Sequence, residues 1–280
     1  MTSTEVLLTT GSAPAAPAGP APARPDVTQP GDGSGSGRYS LLVSRDSDAV
    51  RAAQRLRHDV FAVEQGARLA PGAAADEGRD EDRFDAFCDH LMVRDEADGS
   101  IVGTYRMLTP EGALEAGGLY SDTEFDLRRL DPLRHHLVEV GRSCVHPDHR
   151  TGTVLSLVWA GMWRYLVLSG HRWLIGCASV PLTAEGELPG AVWSLVREKH
   201  YAPAERRVVP HHPAPIGPDE GRRAARDRTP PLLRGYLRLG AEIGGAPAID
   251  HDFGVADLLV LLDHTAIDPR WRRHLLGEDG

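Results

Sequence analysis

The sequence predicts an α/β protein built on a mixed central sheet flanked by helices. Three observations carry that expectation. Short β-branched runs alternate singly with helical patterns along most of the chain. The stretch from Leu137 to Ser179 reads as strand, turn, long helix, strand. Asp98-Gly99, within the turn Glu96–Gly99, joins two apolar runs as a hairpin.

Composition narrows the function classes. A chain of 280 residues can bury a sizeable core, and 41% hydrophobic with 25% charged residues is ordinary for a soluble protein. A net charge of −9 argues against a broad grip on nucleic acid. No apolar run approaches the about 18 residues that cross a membrane. Cys88, Cys144 and Cys177 are odd in number, widely spaced and without a C-x-x-C, so neither a disulfide framework nor a zinc ribbon is expected. A reducing, cytoplasmic setting fits them. The histidines lack metal-type spacing with carboxylates, and no metal is expected. At the N-terminus, Val6-Leu7-Leu8 has no basic region ahead of it and is too short for a signal peptide.

Residues 1–37 are rich in Ala, Pro, Gly, Ser and Thr and are expected to form a disordered tail, with one domain over 38–280. Tyr39–Ser44 is a strand. Asp46 or Ser47 then caps a helix that buries Val50, Ala53, Leu56, Val60 and Phe61. Residues 67–83 read as an acidic loop, and 90–94 and 101–108 as strands. A helical or irregular segment follows over 121–130, with Phe125 and Leu127 directed to the core. The next strand carries Val138, Val140 and Val145 until Pro147, which has no N–H to donate, ends it. The long helix after His149 is expected to bury Leu155, Val158, Trp159, Met162 and Leu166 and to stop at Gly170. Trp173–Ala178 is a buried strand and 187–200 a helix. An irregular surface insertion is expected near 202–229, then a helix over 231–243, a strand over 257–263 and a terminal helix over 270–276.

Two places hold chemistry. The amides of Arg150, Thr151, Gly152 and Thr153 open a helix whose positive end attracts anions. On the strand before it, alternation points Glu139 away from Val138 and Val140. Partial burial would lift its pKa toward working pH and make it a general base for an amine. The competing reading is an ion pair with Arg142 that ties the sheet together. A guanidinium keeps its charge at neutral pH, so Arg142 is expected to pair or position rather than donate protons. Asp80, Asp82, Asp85 and Asp89 form an acidic cluster, and for Asp80 a solvated face is the preferred reading. Cys144 is expected in the core, and Met107, Met162, Trp159, Trp163 and Trp173 in the core or along an acyl tunnel.

The loop Val145-x-Pro147-x-x-Arg150 followed by Gly152 resembles the acyl-donor loop of the GNAT acyltransferases. The longer string E-V-G-R-S-C-V-H-P-D-H-R-T-G, residues 139–152, resembles one branch, the ornithine-lipid N-acyltransferases. These are often labelled haemolysin-like and are related to acyl-homoserine-lactone and N-acyl amino acid synthases. The resemblance continues through 57–66, 82–91, 230–241 and 253–262. It implies a GNAT-like fold and an N-acyltransferase of lipid metabolism. The enzyme would move a long, 3-hydroxy acyl group from acyl-carrier protein, rather than acyl-CoA, to the α-amine of ornithine or a similar amino acid. It implies Glu139 as base with Arg142 beside it, and donor binding at Cys144, Val145, Arg150, Thr151, Gly152 and Thr153. It also implies an acceptor wall of Asp82, Phe84 and Asp85, no cofactor beyond the acyl-phosphopantetheine donor, and peripheral membrane contact through the lipid product.

Three positions depart from the superfamily pattern. His149 stands where Arg or Gln is usual, and Val196 where a tyrosine acid is usual. Val154 replaces a small residue, and its branched side chain is expected to hold off a pyrophosphate. The alternatives are an acyl-homoserine-lactone synthase using S-adenosylmethionine, an acetyl-CoA-dependent acetyltransferase, and a non-catalytic membrane-acting protein.

Overall fold

A computed structural model of the chain describes residues 5–9, 39–182, 187–216 and 226–269. Its strands are β1 (Glu5–Thr9), β2 (Tyr39–Ser44), β3 (Asp89–Asp95), β4 (Ile101–Leu108), β5 (Phe125–Asp126), β6 (Leu137–Val145), β7 (Trp173–Pro181), β8 (Val209–Pro210), β9 (Glu242–Ile243), β10 (Ala248–Asp250) and β11 (Val255–Asp263). The main sheet runs β1-β2-β3-β4-β6-β7-β11-β10, with β9 also on β11, and β5 and β8 form a separate pair. Every neighbouring pair is antiparallel except β6 and β7.

The helices are α1 (Ser47–His58), α2 (Ala73–Asp76), α3 (Pro110–Glu115), α4 (Ser121–Glu124), α5 (Gly152–Leu168), α6 (Glu187–Arg197) and α7 (Pro231–Arg238). Asp46 caps α1, its side chain accepting from the amides of Asp48 at 3.0 Å and Ala49 at 3.2 Å. The helix then widens into a π-type turn over Asp59–Glu64. On one face of the sheet α5 lies so close that a Cβ on Gly161 would meet Leu41 and Leu91 of β2 and β3. α7 packs against α5 through the ring of Trp159, which sits where a Gly235 side chain would be. The opposite face carries α1 and the segments around α3 and α4.

The sheet opens between β6 and β7. They pair in parallel only over Leu137–Glu139 against Trp173–Ile175, and beyond that point the two strands part. Gly176 marks the vertex, where a Cβ would lie 2.4 Å from the carbonyl oxygen of Val140.

Several expectations change. Residues 5–9, placed in the tail, pair with the open edge of β2, and they hold the tail's one apolar run. The remainder of the tail and the helix expected over 270–276 lie outside the described residues. Leu155 is exposed, and Val154 takes the buried place, because α5 begins with Thr151 as cap and its inward face runs Val154, Leu157, Val158, Met162. α7 ends at Arg238 because Gly240, with φ +89°, turns the chain into β9. The described part of the insertion is not wholly superficial, since Ala202, Val208 and Ala214 are buried. α3 is an addition that Thr109-Pro110, cap then first-turn proline, signals in the sequence.

Replacing Gly176 with alanine should push β6 and β7 apart at the vertex. We expect a loss of about 1–3 kcal/mol in urea unfolding, the usual cost of overpacking, together with impaired turnover. An unchanged unfolding midpoint would contradict the close approach.

Candidate active site

The parted strands frame a cavity of about 220 Å³. Glu139, Gly141, Arg142 and Ser143 line it from β6, and Cys177, Ala178 and Ser179 from β7. Tyr105 of β4, Tyr120 beside α4, Asp250 of β10 and Asp257 of β11 complete much of the wall. A second cavity of similar size adjoins it and shares Tyr120, Arg142, Asp250 and Phe253.

Glu139 is 5% exposed. Its Oε1 accepts from the Ser121 amide at 2.8 Å and the Ser121 hydroxyl at 2.5 Å, and its Oε2 from the Tyr120 amide at 2.6 Å. Burial raises its pKa, and the three hydrogen bonds only partly oppose that. Ion pairing with Arg142, the competing sequence reading, does not occur.

Arg142 instead faces the acidic segment before β3. Between the pairs Thr104–Cys144 and Arg106–Gly141, two β6 residues oppose one on β4. This is a β-bulge, and Arg142 takes φ +54°, alone among the described non-glycine residues. Such a backbone costs roughly 1–2 kcal/mol. Its guanidinium sits 3.2 Å from both Asp80 and Asp82 and lies against the rings of Phe253 and Tyr120.

These contacts belong to a network of three arginines and three aspartates, buried except for the half-buried Asp82 and Arg142. Arg57, fully buried, pairs with Asp85 at 2.8 Å and Asp80 at 3.0 Å and also donates to the Asp80 carbonyl. Arg106 pairs with Asp82 at 2.6 Å and reaches Asp85 at 3.4 Å. Burial alone would raise the Asp85 carboxyl, but Arg57 and Arg106 hold it well below the ordinary range. Asp82 is likewise lowered by Arg106 and Arg142 against its burial. The solvated face expected for Asp80 is thus corrected: Asp80 is 3% exposed and serves two arginines. Phe84 is buried beneath Tyr120, ring centroids 6.1 Å apart. Asp85 and Phe84 therefore support the wall from behind, while Asp82 borders the second cavity.

The donor loop lies at the far end of β6. Thr151 caps α5 through the Val154 amide at 3.4 Å, and Thr151, Gly152 and Thr153 are exposed. Arg150 turns away, its guanidinium bidentate on Glu64 at 2.7 and 2.6 Å and its Nε on the Val145 carbonyl. Val154 does not obstruct the loop as expected. Its side chain is fully buried and lies 3.5 Å from where a Cβ on Gly103 would stand, because the first turn of α5 points that position into the sheet. Cys144 packs with Leu56, Val60 and Phe61, and burial pushes its thiol up to about 12.

Asp257 escaped the sequence reading. It is 2% exposed, lines the cavity, and accepts from the Ser179 hydroxyl at 2.7 Å. Burial pushes its pKa up to about 7. A lone carboxylate inside the otherwise apolar run V-A-D-L-L-V-L-L was the available signal.

A sheet parted at its central parallel pair, a bulged strand and an open helix start at the loop define a GNAT N-acyltransferase. The family model described as Acetyltransferase (GNAT) domain matches residues 56–160. Similar curated proteins are the L-ornithine N(alpha)-acyltransferases of Agrobacterium fabrum, 37% identical over 256 residues covering 86% of each chain, and of Brucella abortus, 38% identical over 84% of this chain and 88% of that one. Among solved structures, the AHL synthase LasI covers 86% of this chain and 96% of its own at 10% identity, with a TM-score of 0.49. The chain belongs to the L-ornithine N(alpha)-acyltransferase family.

Breaking the buried network from one side should be costly. Arg57→Met leaves Asp80 and Asp85 short of a cation, and a loss of about 3–5 kcal/mol is expected in denaturant unfolding. A loss under about 1 kcal/mol would mean that the other two arginines compensate fully.

Proposed function

We propose that this enzyme transfers a long, 3-hydroxy acyl group from the phosphopantetheine of acyl-carrier protein to the α-amine of ornithine or a closely similar amino acid, the first step toward an aminolipid. The observation that carries the reading is a buried carboxylate, Glu139, on the wall of an open wedge between two parallel strands. Past Glu139 and Ile175 those strands no longer pair with each other. An extended arm bearing amides, such as phosphopantetheine, suits the backbone groups left facing the gap. The names of the curated relatives support ornithine as acceptor.

Each carboxylate oxygen offers two lone-pair directions, and Glu139 Oε2 accepts one hydrogen bond. The remaining direction takes the proton of the incoming ammonium, directly or through a water. The freed amine attacks the thioester carbon and forms the C–N bond, and β6 amides near Cys144 and Val145 receive the oxyanion. The C–S bond then breaks, the leaving thiolate collects the proton held by Glu139, and the second amine proton takes its place on the carboxylate and passes to water. Arg142, facing both cavities, positions the acceptor, with Asp82, Phe84 and Asp85 behind it.

Arg150 favours carrier protein as donor. The loop's one guanidinium is already neutralised by Glu64, leaving the amides of Thr151, Gly152 and Thr153 for phosphate. A single phosphodiester asks less of such a site than the three phosphates of CoA. The product bears a long chain, so its release brings the protein into peripheral contact with the membrane.

Mass spectrometry of products from purified protein, 3-hydroxyacyl-carrier protein and amino acids tests this reading. Ornithine should gain one acyl group, faster than with the matching acyl-CoA, and without S-adenosylmethionine. Glu139→Gln should remain folded and lose about 10²–10⁴ in kcat/KM. Because a protonated Glu139 is inactive and its pKa is raised, the acid limb of wild-type kcat/KM should lie above that of an ordinary glutamate. Turnover with acetyl-CoA alone, or a lactone product, would refute the reading.

A further inference from the structure

Ornithine presents two amines, and the relatives are named for acylation at the α position. Something in the acceptor site must keep the distal amine from reacting. Asp82 and Asp85 are poorly suited to this task, because arginines already occupy them. Among the described residues, the cavity carboxylates that form no ion pair are on the other wall.

Asp257 and Asp250 lie on the paired strands β11 and β10, both more than nine-tenths buried and both lining the cavity. Asp250 accepts from the Tyr120 hydroxyl at 3.1 Å and from the amides of Asp252 and Phe253. Asp257 accepts from Ser179, and no ion pair reaches either residue among the described residues. Arg142 is the cation that faces Asp257, and it is engaged by Asp80 and Asp82. Glu124, half-buried beside Asp250 in the second cavity, adds a third negative group. Burial and mutual repulsion raise both Asp257 and Glu124. Buried carboxylates that repel one another are stabilised by a cation between them.

We propose that Asp257 and Asp250 form the subsite for the distal ammonium of the acceptor, and that this pairing directs acylation to the α-amine. The inference rests on the acceptor being ornithine or a similar diamino acid. An ammonium held by two carboxylates keeps its proton and has no lone pair with which to attack. The α-ammonium, on the β6 side of the cavity, meets Glu139 and gives its proton up. Regioselectivity then follows from where the negative charge is paired and where it is not.

The experiment compares ornithine with norvaline, which has the same carbon chain without the distal amine, using full-length protein and 3-hydroxyacyl-carrier protein. Wild type should prefer ornithine. Asp257→Asn and Asp250→Asn should each raise the KM for ornithine about tenfold or more, the scale of a lost charged hydrogen bond, with kcat held within a few-fold. Norvaline kinetics should not worsen, and tandem mass spectrometry should detect Nδ-acyl product in the variants. Ser179→Ala, which keeps both carboxylates, should give a smaller loss confined to ornithine, and circular dichroism checks folding throughout. Equal use of the two amino acids by wild type, an equal fall on both in the variants, or no change in either would overturn the subsite. A wild-type enzyme that acylates no amino acid would instead refute the proposed function itself.

Discussion

Six charges clustered beside the cavity, four of them buried and two half-buried, constrain the rest of this structure. Arg57, Arg106 and Arg142 interleave with Asp80, Asp82 and Asp85, and removing one partner from such a cluster leaves a poorly solvated charge uncompensated. The network joins α1, β4, the bulge of β6 and the segment before β3, four pieces distant in sequence. It thereby fixes the cavity wall on which Arg142 sits. Its contribution to net stability is modest by nature, because desolvation offsets much of the attraction; what it supplies is a single arrangement.

The sheet contributes the complementary half. One parallel pair in an otherwise antiparallel sheet gives the strands reason to part, since β6 and β7 need not share a turn. Glycine at position 176 lets them touch at the vertex, and divergence beyond it creates room for chemistry without emptying the core. The cavity combines a wall of ion-paired charge on one side with carboxylates that, among the described residues, have hydrogen bonds but no ion pair on the other. A zwitterionic acceptor with an extra ammonium fits that asymmetry better than a neutral amine does.

Much of the fold was legible because it is written in local signals. Asp46 as cap, Asp98-Gly99 as turn and Pro147 as strand terminator each act within a few residues, and each element forms nearby. The motif around Glu139–Gly152 also spans the strand that lines the cleft and the helix start at its far end. What local pattern could not convey was partnership across the chain. Asp80 looks solvated until Arg57 and Arg142 are brought to it from 23 and 62 positions away. Val154 looks like an obstacle until the cap at Thr151 sets the phase of α5 and rotates it inward. Asp257 was visible as a charge in an apolar strand, yet its meaning depends on Ser179 and Asp250, which register alone brings alongside.

Position 142 carries a tension that reaches beyond the reaction itself. Its left-handed backbone would suit glycine or asparagine better than arginine, while the guanidinium joins two aspartates and two aromatic rings. Backbone ease and side-chain duty thus favour different residues at the same place. Relieving the backbone would recover roughly 1–2 kcal/mol, whereas leaving Asp80 and Asp82 short of a cation would cost about 3–5 kcal/mol, so the pairing keeps arginine where the backbone prefers glycine. At the bulge, the partners of a side chain across the fold thus outweigh the preference of its own backbone.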